Sequence, residues 1–442
     1  MSPLPRILPD ERTRFVILAV LLFLNSLVLN ANEVVATTGF ISSVGVEQIL
    51  LVWALDMMIV IITSSVYSLI VDRTQRERLA VRLAYGFTIV YILLYFFFRS
   101  AEQSGLPYLL LLVINDQQWL LFPLVVWTLG TDLFSLDQTK RLFPLLGATT
   151  LIGAMVGNGA AAGVATLFGT PSIGLLLVNA GLMLLMALII TLNYKRIKSE
   201  AHQSRQGEKL FDALREGIAF VRDVPVFRFL TIAMILMGVA LNAVEFQLMF
   251  TASETYANQP AELQTFYGIF KLVVVLSIIL IQGAIATQLL NRVGFKYIFG
   301  LMPAALLASL AIMISAPSII GVALGGYLTR VVLVGIDEPA RKAFQGLVPD
   351  ERRGRVSAFL DGYLLPFGTI LSCGMIGGIL IAVNQNLLEA DVGRVLYLSI
   401  AGMCVIFALV AIIRLHATYD SSMLNWRLRR RQARSVLDKL DF

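Results

Sequence analysis

The sequence predicts an all-α membrane protein with twelve transmembrane helices, arranged as two six-helix pseudo-repeats. Three features support this prediction: the apolar composition, twelve long apolar stretches, and short segments that recur in the two halves. Of the 442 residues, 57% are hydrophobic and 14% are charged, whereas an ordinary soluble protein is about one quarter charged. So few charges cannot cover a water-soluble globule. The two cysteines also exclude a disulfide-stapled scaffold and a multi-cysteine metal site.

The apolar stretches define the predicted spans. A helix needs about 20 apolar residues to cross the ~30 Å hydrocarbon core of a bilayer. The first stretch ends in no small-residue cleavage site, so we expect a membrane helix there and not a removable signal peptide. The twelve predicted spans are 14–35, 47–71, 79–98, 107–130, 143–168, 173–193, 225–250, 264–290, 296–316, 318–337, 356–384 and 393–416.

Basic residues occupy every second connection between the spans. Lys and Arg concentrate on the cytoplasmic side of membrane proteins, so both termini are predicted to be cytoplasmic. The absence of a transit peptide favours a bacterial plasma (inner) membrane. The net charge of +6 therefore indicates topology, and we expect a lipid bilayer but no nucleic acid as partner. The basic connections are the N-terminus, 72–76, 140–141, 194–224, 292–296, 341–355 and the C-terminal tail.

The longest connection divides the chain into two halves. We predict an N-terminal bundle (1–193), a cytoplasmic linker (194–224), a C-terminal bundle (225–416) and a basic cytoplasmic tail (417–442). Within the linker, apolar residues recur at the spacing of a helix lying along the membrane interface. These residues are Leu210, Phe211, Leu214, Ile218 and Val221.

Short segments repeat between the halves. Leu29-Asn30-Ala31-Asn32-Glu33 in span 1 recurs as Leu241-Asn242-Ala243-Val244-Glu245 in span 7, and spans 5 and 11 are both rich in glycine. Two duplicated bundles that face each other across a central cavity are typical of carriers that bind substrate near the membrane midplane.

Ionisable side chains within the spans are the candidate site residues. Each costs roughly 2.5–3.5 kcal/mol to insert, so such groups normally face a cavity or a partner. We predict substrate or proton binding by Glu33, Asp116, Glu245, Lys271 and Arg330, together with Asn32 and Asn242. The alternative is internal ion pairing, for example of Glu245 with Lys271 or of Asp116 with Arg330. Asp56 fits either role equally, and Lys271 lies near enough to the membrane surface to snorkel outward.

Ion pairs are also predicted to close the cytoplasmic side. The predicted gate residues are Asp72, Arg73, Lys140, Arg141, Arg292, Asp337, Arg341 and Asp361.

No catalytic or cofactor site is expected. The glycine run 157–163 lies inside a predicted membrane helix and not at a strand-to-helix turn, so it indicates helix packing and not dinucleotide binding. The two histidines form no nucleophile–histidine–acid set and no metal cluster. We therefore expect neither enzymatic activity nor a cofactor or metal.

Several segments resemble the ATP/ADP translocases of plastids and obligate intracellular bacteria. Lys140-Arg141-Leu142-Phe143-Pro144-Leu145-Leu146-Gly147 is similar to the signature that leads into span 5 of that family. Asn242-Ala243-Val244-Glu245, Asp337-Glu338-Pro339-Ala340-Arg341-Lys342 and the stretch from Leu360-Asp361 to Pro366-Phe367-Gly368 resemble further family segments, in the same order. The resemblance implies a major-facilitator-like fold and nucleotide exchange by alternating access.

Nucleotide exchange has two alternatives on this fold. The family's charged residues in spans 1 and 11 are lysines, where this sequence has Asn32 and the region of Ser357. A nucleotide triphosphate needs fixed cations, so a proton-coupled carrier of another small solute is the first alternative. The second is a membrane scaffold or sensor that does not transport.

Overall fold

The structure is a computed structural model that is helical throughout the residues it describes. Beyond the four-residue turn Tyr194–Ile197, it contains twelve long helices or helical segments in those residues, and no strand. The described residues are 7–71, 74–101, 104–170, 172–198, 218–219, 221–222, 224–284, 298–345, 360 and 363–437.

The helices follow the order of the predicted spans. The helix Ile319–Val332 continues through a π-helical turn, Leu333–Asp337, into Glu338–Gln345. The helices are α1 (Pro9–Ser43), α2 (Ile49–Val71), α3 (Arg76–Ser100), α4 (Leu106–Leu133), α5 (Leu136–Phe168), α6 (Gly174–Leu192), α7 (Pro225–Thr255), α8 (Pro260–Ala284), α9 (Leu301–Ser315), α10 (Ile319–Val332), α11 (Leu364–Asn384) and α12 (Ala390–Leu437).

The predicted twelve-span fold class is confirmed in the described part of the chain. Eleven helices there are long and apolar enough to cross a membrane, and the shorter apolar helix α9 is the twelfth. The chain is an integral membrane protein. Two helices extend well beyond the predicted spans: α1 begins at Pro9, a residue favoured in the first helical turn, and α12 continues to Leu437. At 1.5 Å per residue, the 48 residues of α12 extend for about 72 Å.

The chain forms two compact units whose limits differ from the sequence halves. The first unit comprises residues 1–210 and 249–279, and the second comprises 211–248 and 280–442. The C-terminal end of α7 and most of α8 therefore pack with the N-terminal helices. The four domains drawn from the sequence stay predictions.

The first unit is organised around α1. This helix packs against α4, α5 and α6, while α3 packs against α4 and α6. Its apolar core includes Leu18, Leu21 and Leu22 of α1 together with Phe122 of α4 and Met183 of α6, all nearly inaccessible to solvent. Because α1 is buried on most sides, its polar residues Asn25, Asn30 and Asn32 must find partners within the bundle.

The internal repeat is visible in how α5 packs on α1 and α11 packs on α7. A Cβ atom added at Gly153 of α5 would lie 2.3 Å from the carbonyl oxygen of Phe23, and one added at Gly368 of α11 would lie 3.1 Å from that of Ile235. Phe23 and Ile235 occupy equivalent places before the two repeated pentapeptides. Glycine thus lets the backbones of both helix pairs approach closely.

The repeated asparagines also share one geometry. Asn30 and Asn242 each donate from Nδ2 to the carbonyl oxygen four residues earlier, at 2.8 Å in both cases. Asn30 accepts from Asn158 of α5 at 3.3 Å, and Asn242 donates to Thr369 of α11 at 3.0 Å. The duplication read from the sequence is therefore also present in the contacts of the first and seventh helices.

Candidate functional site

Lys271 and Glu33 form an ion pair in the first unit. The Lys271 Nζ atom contacts Glu33 Oε1, and the lysine side chain is only 9% exposed, whereas that of Glu33 is 40% exposed. The structure thus shows that Lys271 does not snorkel outward. A buried ammonium group needs a partner, and Glu33 supplies it while remaining accessible to solvent.

Close packing of α8 on α5 places Lys271 beside α1. A Cβ atom at Gly268 would lie 2.9 Å from the carbonyl oxygen of Asn158, so only glycine permits this approach. One turn earlier, Gln264 donates to the carbonyl oxygen of Ala161 at 2.9 Å and to Ser172 Oγ at 2.9 Å. These contacts hold α8 in a register that brings Lys271 to Glu33.

Asp116 joins this cluster together with Asp56. The two carboxyl groups lie within hydrogen-bonding distance of each other, and Glu33 and Lys271 also act electrostatically on Asp116. Asp56 is 2% exposed, and its Oδ1 atom accepts from Gln117 Nε2 at 3.5 Å. Four charged groups from α1, α2, α4 and α8 therefore converge, with three carboxyls against one ammonium. We call Glu33, Asp56, Asp116 and Lys271 the acidic cluster.

Glu245 and Arg330 form a bidentate ion pair in the second unit. Arg330 Nη2 lies 2.7 Å from Glu245 Oε1, and Arg330 Nε lies 3.1 Å from Glu245 Oε2. Such fork-like pairs are among the stronger charge-assisted hydrogen bonds. The Arg330 side chain is 33% exposed and the Glu245 side chain is 16% exposed, so water reaches the pair.

These pairs differ from the two pairings that the sequence suggested. Within the first unit, Lys271 pairs with Glu33. Within the second unit, Arg330 pairs with Glu245. Pairing of Glu245 with Lys271 or of Asp116 with Arg330 stays a prediction, as does the choice between substrate binding and internal pairing.

The two asparagines predicted as ligands make contacts between helices. Asn32 is 1% exposed and accepts from Nδ2 of Asn179 in α6 at 2.7 Å. Asn242 contacts Thr369 of α11. Their part in substrate binding stays a prediction, and their observed role is to join α1 to α6 and α7 to α11.

Sequence reasoning missed a second set of buried polar residues. Gln118 is fully buried, accepts from the Tyr91 hydroxyl and donates to Asn25 Oδ1 at 2.9 Å. In the second unit, the Tyr397 hydroxyl donates to Gln247 in the same way. The polar run that contains Asp116 ends at Gln118, and this run was the available signal for Gln118.

A cavity lies near the end of α1 in the first unit. It has a volume of about 240 Å³, and its lining carries hydroxyl and amide groups but no charged side chain. Val35, two residues after Glu33 in the sequence, is one of its lining residues. The other lining residues are Thr38, Gly39, Ser42, Ser43, Tyr108, Thr170, Ser172, Pro260 and Gln264.

The described gate residues are paired within their own units. Arg141 contacts Glu11 at 2.7 Å, and Arg341 contacts Asp337 one helical turn away at 2.7 Å. Arg76, next to the predicted gate, contacts Asp132. A latch between the halves stays a prediction. Four gate residues, Asp72, Arg73, Arg292 and Asp361, and the side chain of Lys140 lie outside the described residues.

Comparison with known proteins identifies the fold. The family model of the Major Facilitator Superfamily matches residues 121–336, just under half of the chain. A variant of the nucleoside transporter NupG is similar with a TM-score of 0.68 and 14% identity, covering 91% of this chain and 99% of that one.

Two further solved structures agree. A POT family transporter in complex with 5-aminolevulinic acid has a TM-score of 0.66 and 13% identity, covering 91% of this chain and 96% of that one. A bacterial homologue of the iron transporter ferroportin has a TM-score of 0.56 and 14% identity, covering 90% and 98%. No curated protein sequence matches the chain. The chain therefore has the fold of the major facilitator transporters.

Proposed function

We propose that the protein is a secondary transporter that moves a small polar solute of low net charge by alternating access. The observation that carries this proposal is that both cations among the predicted site residues already contact carboxylates. Lys271 contacts Glu33, and Arg330 holds Glu245 in a bidentate pair. A polyphosphate would have to displace a carboxylate from each of them.

The charge balance of the acidic cluster supports the same conclusion. Three carboxyl groups oppose one ammonium, so the cluster keeps a net negative charge even when one carboxyl is protonated. Unit charges 4 Å apart interact by about 4 kcal/mol at an effective dielectric constant of 20, so an anionic substrate is repelled. The cavity near the end of α1 carries hydroxyl and amide groups without cations, and such groups suit hydrogen bonding to an uncharged solute.

Nucleotide exchange is the second candidate function. The resemblance of 140–147 and 242–245 to the ATP/ADP translocases favours it, and Glu245 lies within one of these segments. The resemblance and the charge balance are compatible if the substrate keeps the nucleoside part of a nucleotide and lacks its phosphates. Nucleosides are therefore the first solutes to test.

A series of substrates that differ only in charge tests the proposal. Purified protein in proteoliposomes is preloaded with unlabelled adenosine, ADP or ATP, and counterflow of the same labelled compound is measured. We expect adenosine to exchange faster than the background measured in protein-free vesicles, and we expect no exchange of ADP or ATP above that background. Glu262→Gln, which changes an exposed acid on α8, is the matched control and should behave like the wild type. Exchange of ATP faster than adenosine would overturn the proposal in favour of the nucleotide carrier.

A further inference from the structure

The carboxyl pair in the acidic cluster has a feature that simple ion pairing does not explain. Asp56 Oδ2 is buried and has no hydrogen-bond donor among the described residues. The carboxyl group of Asp116 lies within hydrogen-bonding distance of the Asp56 carboxyl group. An ionised carboxylate can only accept hydrogen bonds, so two ionised carboxylates cannot satisfy each other. One proton placed between them supplies the missing donor.

The surroundings hold this pair in place. Asp56 lies on α2 and Asp116 on α4, and these two helices pack directly against each other. The amide of Gln117, the residue after Asp116, points at Asp56 Oδ1. Because the pair is braced by two packed helices and a neighbouring amide, the carboxyl groups cannot simply separate to reduce their repulsion. Two carboxyls at such close range share a proton in other proteins.

Lys271 is the cation that acts on this carboxyl pair. In the structure the ammonium group contacts Glu33, and it also acts electrostatically on Asp116. Among the described residues, the charged groups that act on Asp116 are Asp56, Glu33 and Lys271. When the shared proton leaves, Asp116 becomes a second carboxylate that competes with Glu33 for the same ammonium.

We propose that Asp56 and Asp116 together bind one proton, and that its release draws Lys271 from Glu33 towards Asp116. The balance is simple: one O–H bond of the carboxyl pair breaks, the proton passes to water, and the negative charge left behind is met by Lys271. The coupling of this event to solute movement rests on the proposed transport function, whereas the binding of the proton does not. Because Glu33 is 40% exposed, solvent and solute can reach its carboxylate when Lys271 moves away.

A proton fits the cluster better than a metal ion does. Within the described residues, no group of three or more His, Cys, Asp and Glu side chains could hold a metal ion. The ammonium of Lys271 already supplies a positive charge next to Glu33.

Infrared spectroscopy of the purified full-length protein tests the proposal without a substrate. The C=O stretching band of a protonated carboxyl is followed between pH 5.5 and pH 9, and deuterium exchange identifies it. We expect one titrating band in the wild type, absent in Asp56→Asn and in Asp116→Asn, and kept in Asp116→Glu. Glu262→Gln should leave the band unchanged. In Lys271→Gln the band should persist to higher pH, because no ammonium group is left to stabilise the ionised carboxylate.

The proposal fails if both asparagine variants keep the band at full amplitude, or if addition of NaCl at constant pH removes it, which would indicate a sodium site. Size-exclusion profiles show whether each variant is folded. If Asp116→Asn does not fold, the band of Asp56→Asn alone tests the proposal. Counterflow without a titrating band would leave the transport function standing and remove the proton site. A titrating band without counterflow would keep the proton site and contradict the proposed transport function.

Discussion

Replacing Glu245 with Gln is expected to lower the initial rate of adenosine uptake into proteoliposomes about tenfold. The substitution keeps the size of the side chain and removes the charge that holds Arg330 through two contacts of 2.7 and 3.1 Å. Exposed ion pairs contribute up to about 1 kcal/mol, and breaking a buried one costs roughly 3–5 kcal/mol. This pair is partly exposed, so a value of ~1.5 kcal/mol is reasonable, which corresponds to about tenfold.

Two further variants separate the possible roles of Glu245. If pairing with Arg330 is what matters, the double variant Glu245→Gln/Arg330→Gln should recover part of the lost rate, because no unmatched charge is left. If Glu245 itself binds the solute, the double variant should stay inactive. Asp391→Asn is the matched control. Asp391 also pairs with an arginine, Arg394, at 3.1 Å, but its side chain is 84% exposed. Wild-type uptake by Glu245→Gln would remove Glu245 from the site.

The sequence predicts the spans because the bilayer imposes a length and a composition on each of them. It predicts the helix ends less well, since apolar stretches mark only the part of a helix that lies in the membrane. The apolar stretch of α12 stops near His416, where charged residues begin. Arg, Gln and Leu are good helix formers, so the backbone hydrogen bonding continues to Leu437.

The candidate site is likewise only partly predictable from the sequence. The cost of placing charges in a membrane identifies Glu33, Asp116, Glu245, Lys271 and Arg330 without any structure. Their partners depend on which helices pack together, and that cannot be read from spacing along one helix. The choice of Lys271 for Glu33 depends on a glycine contact one turn away. Similarly, only the packing of α2 on α4 places Asp56 beside Asp116.

Replacing Gly153 with Leu is expected to abolish most of the folded protein. A Cβ atom at this position would lie 2.3 Å from the carbonyl oxygen of Phe23 and 3.0 Å from Ser26 Cβ. The first of these neighbours is backbone, so no rotamer change can relieve the clash, and α5 must move away from α1. Overpacking usually costs about 1–3 kcal/mol and occasionally more, and we expect the upper end here. Thermal unfolding and the monodisperse fraction in size-exclusion chromatography measure the effect.

Gly159→Leu on the same helix is the matched control, because a Cβ atom there would meet nothing within 4 Å. Both variants lose the same glycine flexibility and gain the same side chain, so the difference between them reports the contact of α5 with α1 alone. The internal repeat extends the argument: Gly368→Leu should also destabilise the protein, through the backbone of α7, but less than Gly153→Leu, since its Cβ would lie 3.1 Å from the nearest backbone oxygen. Equal unfolding temperatures for Gly153→Leu and Gly159→Leu would contradict the packing that holds the helix of Glu33 in place.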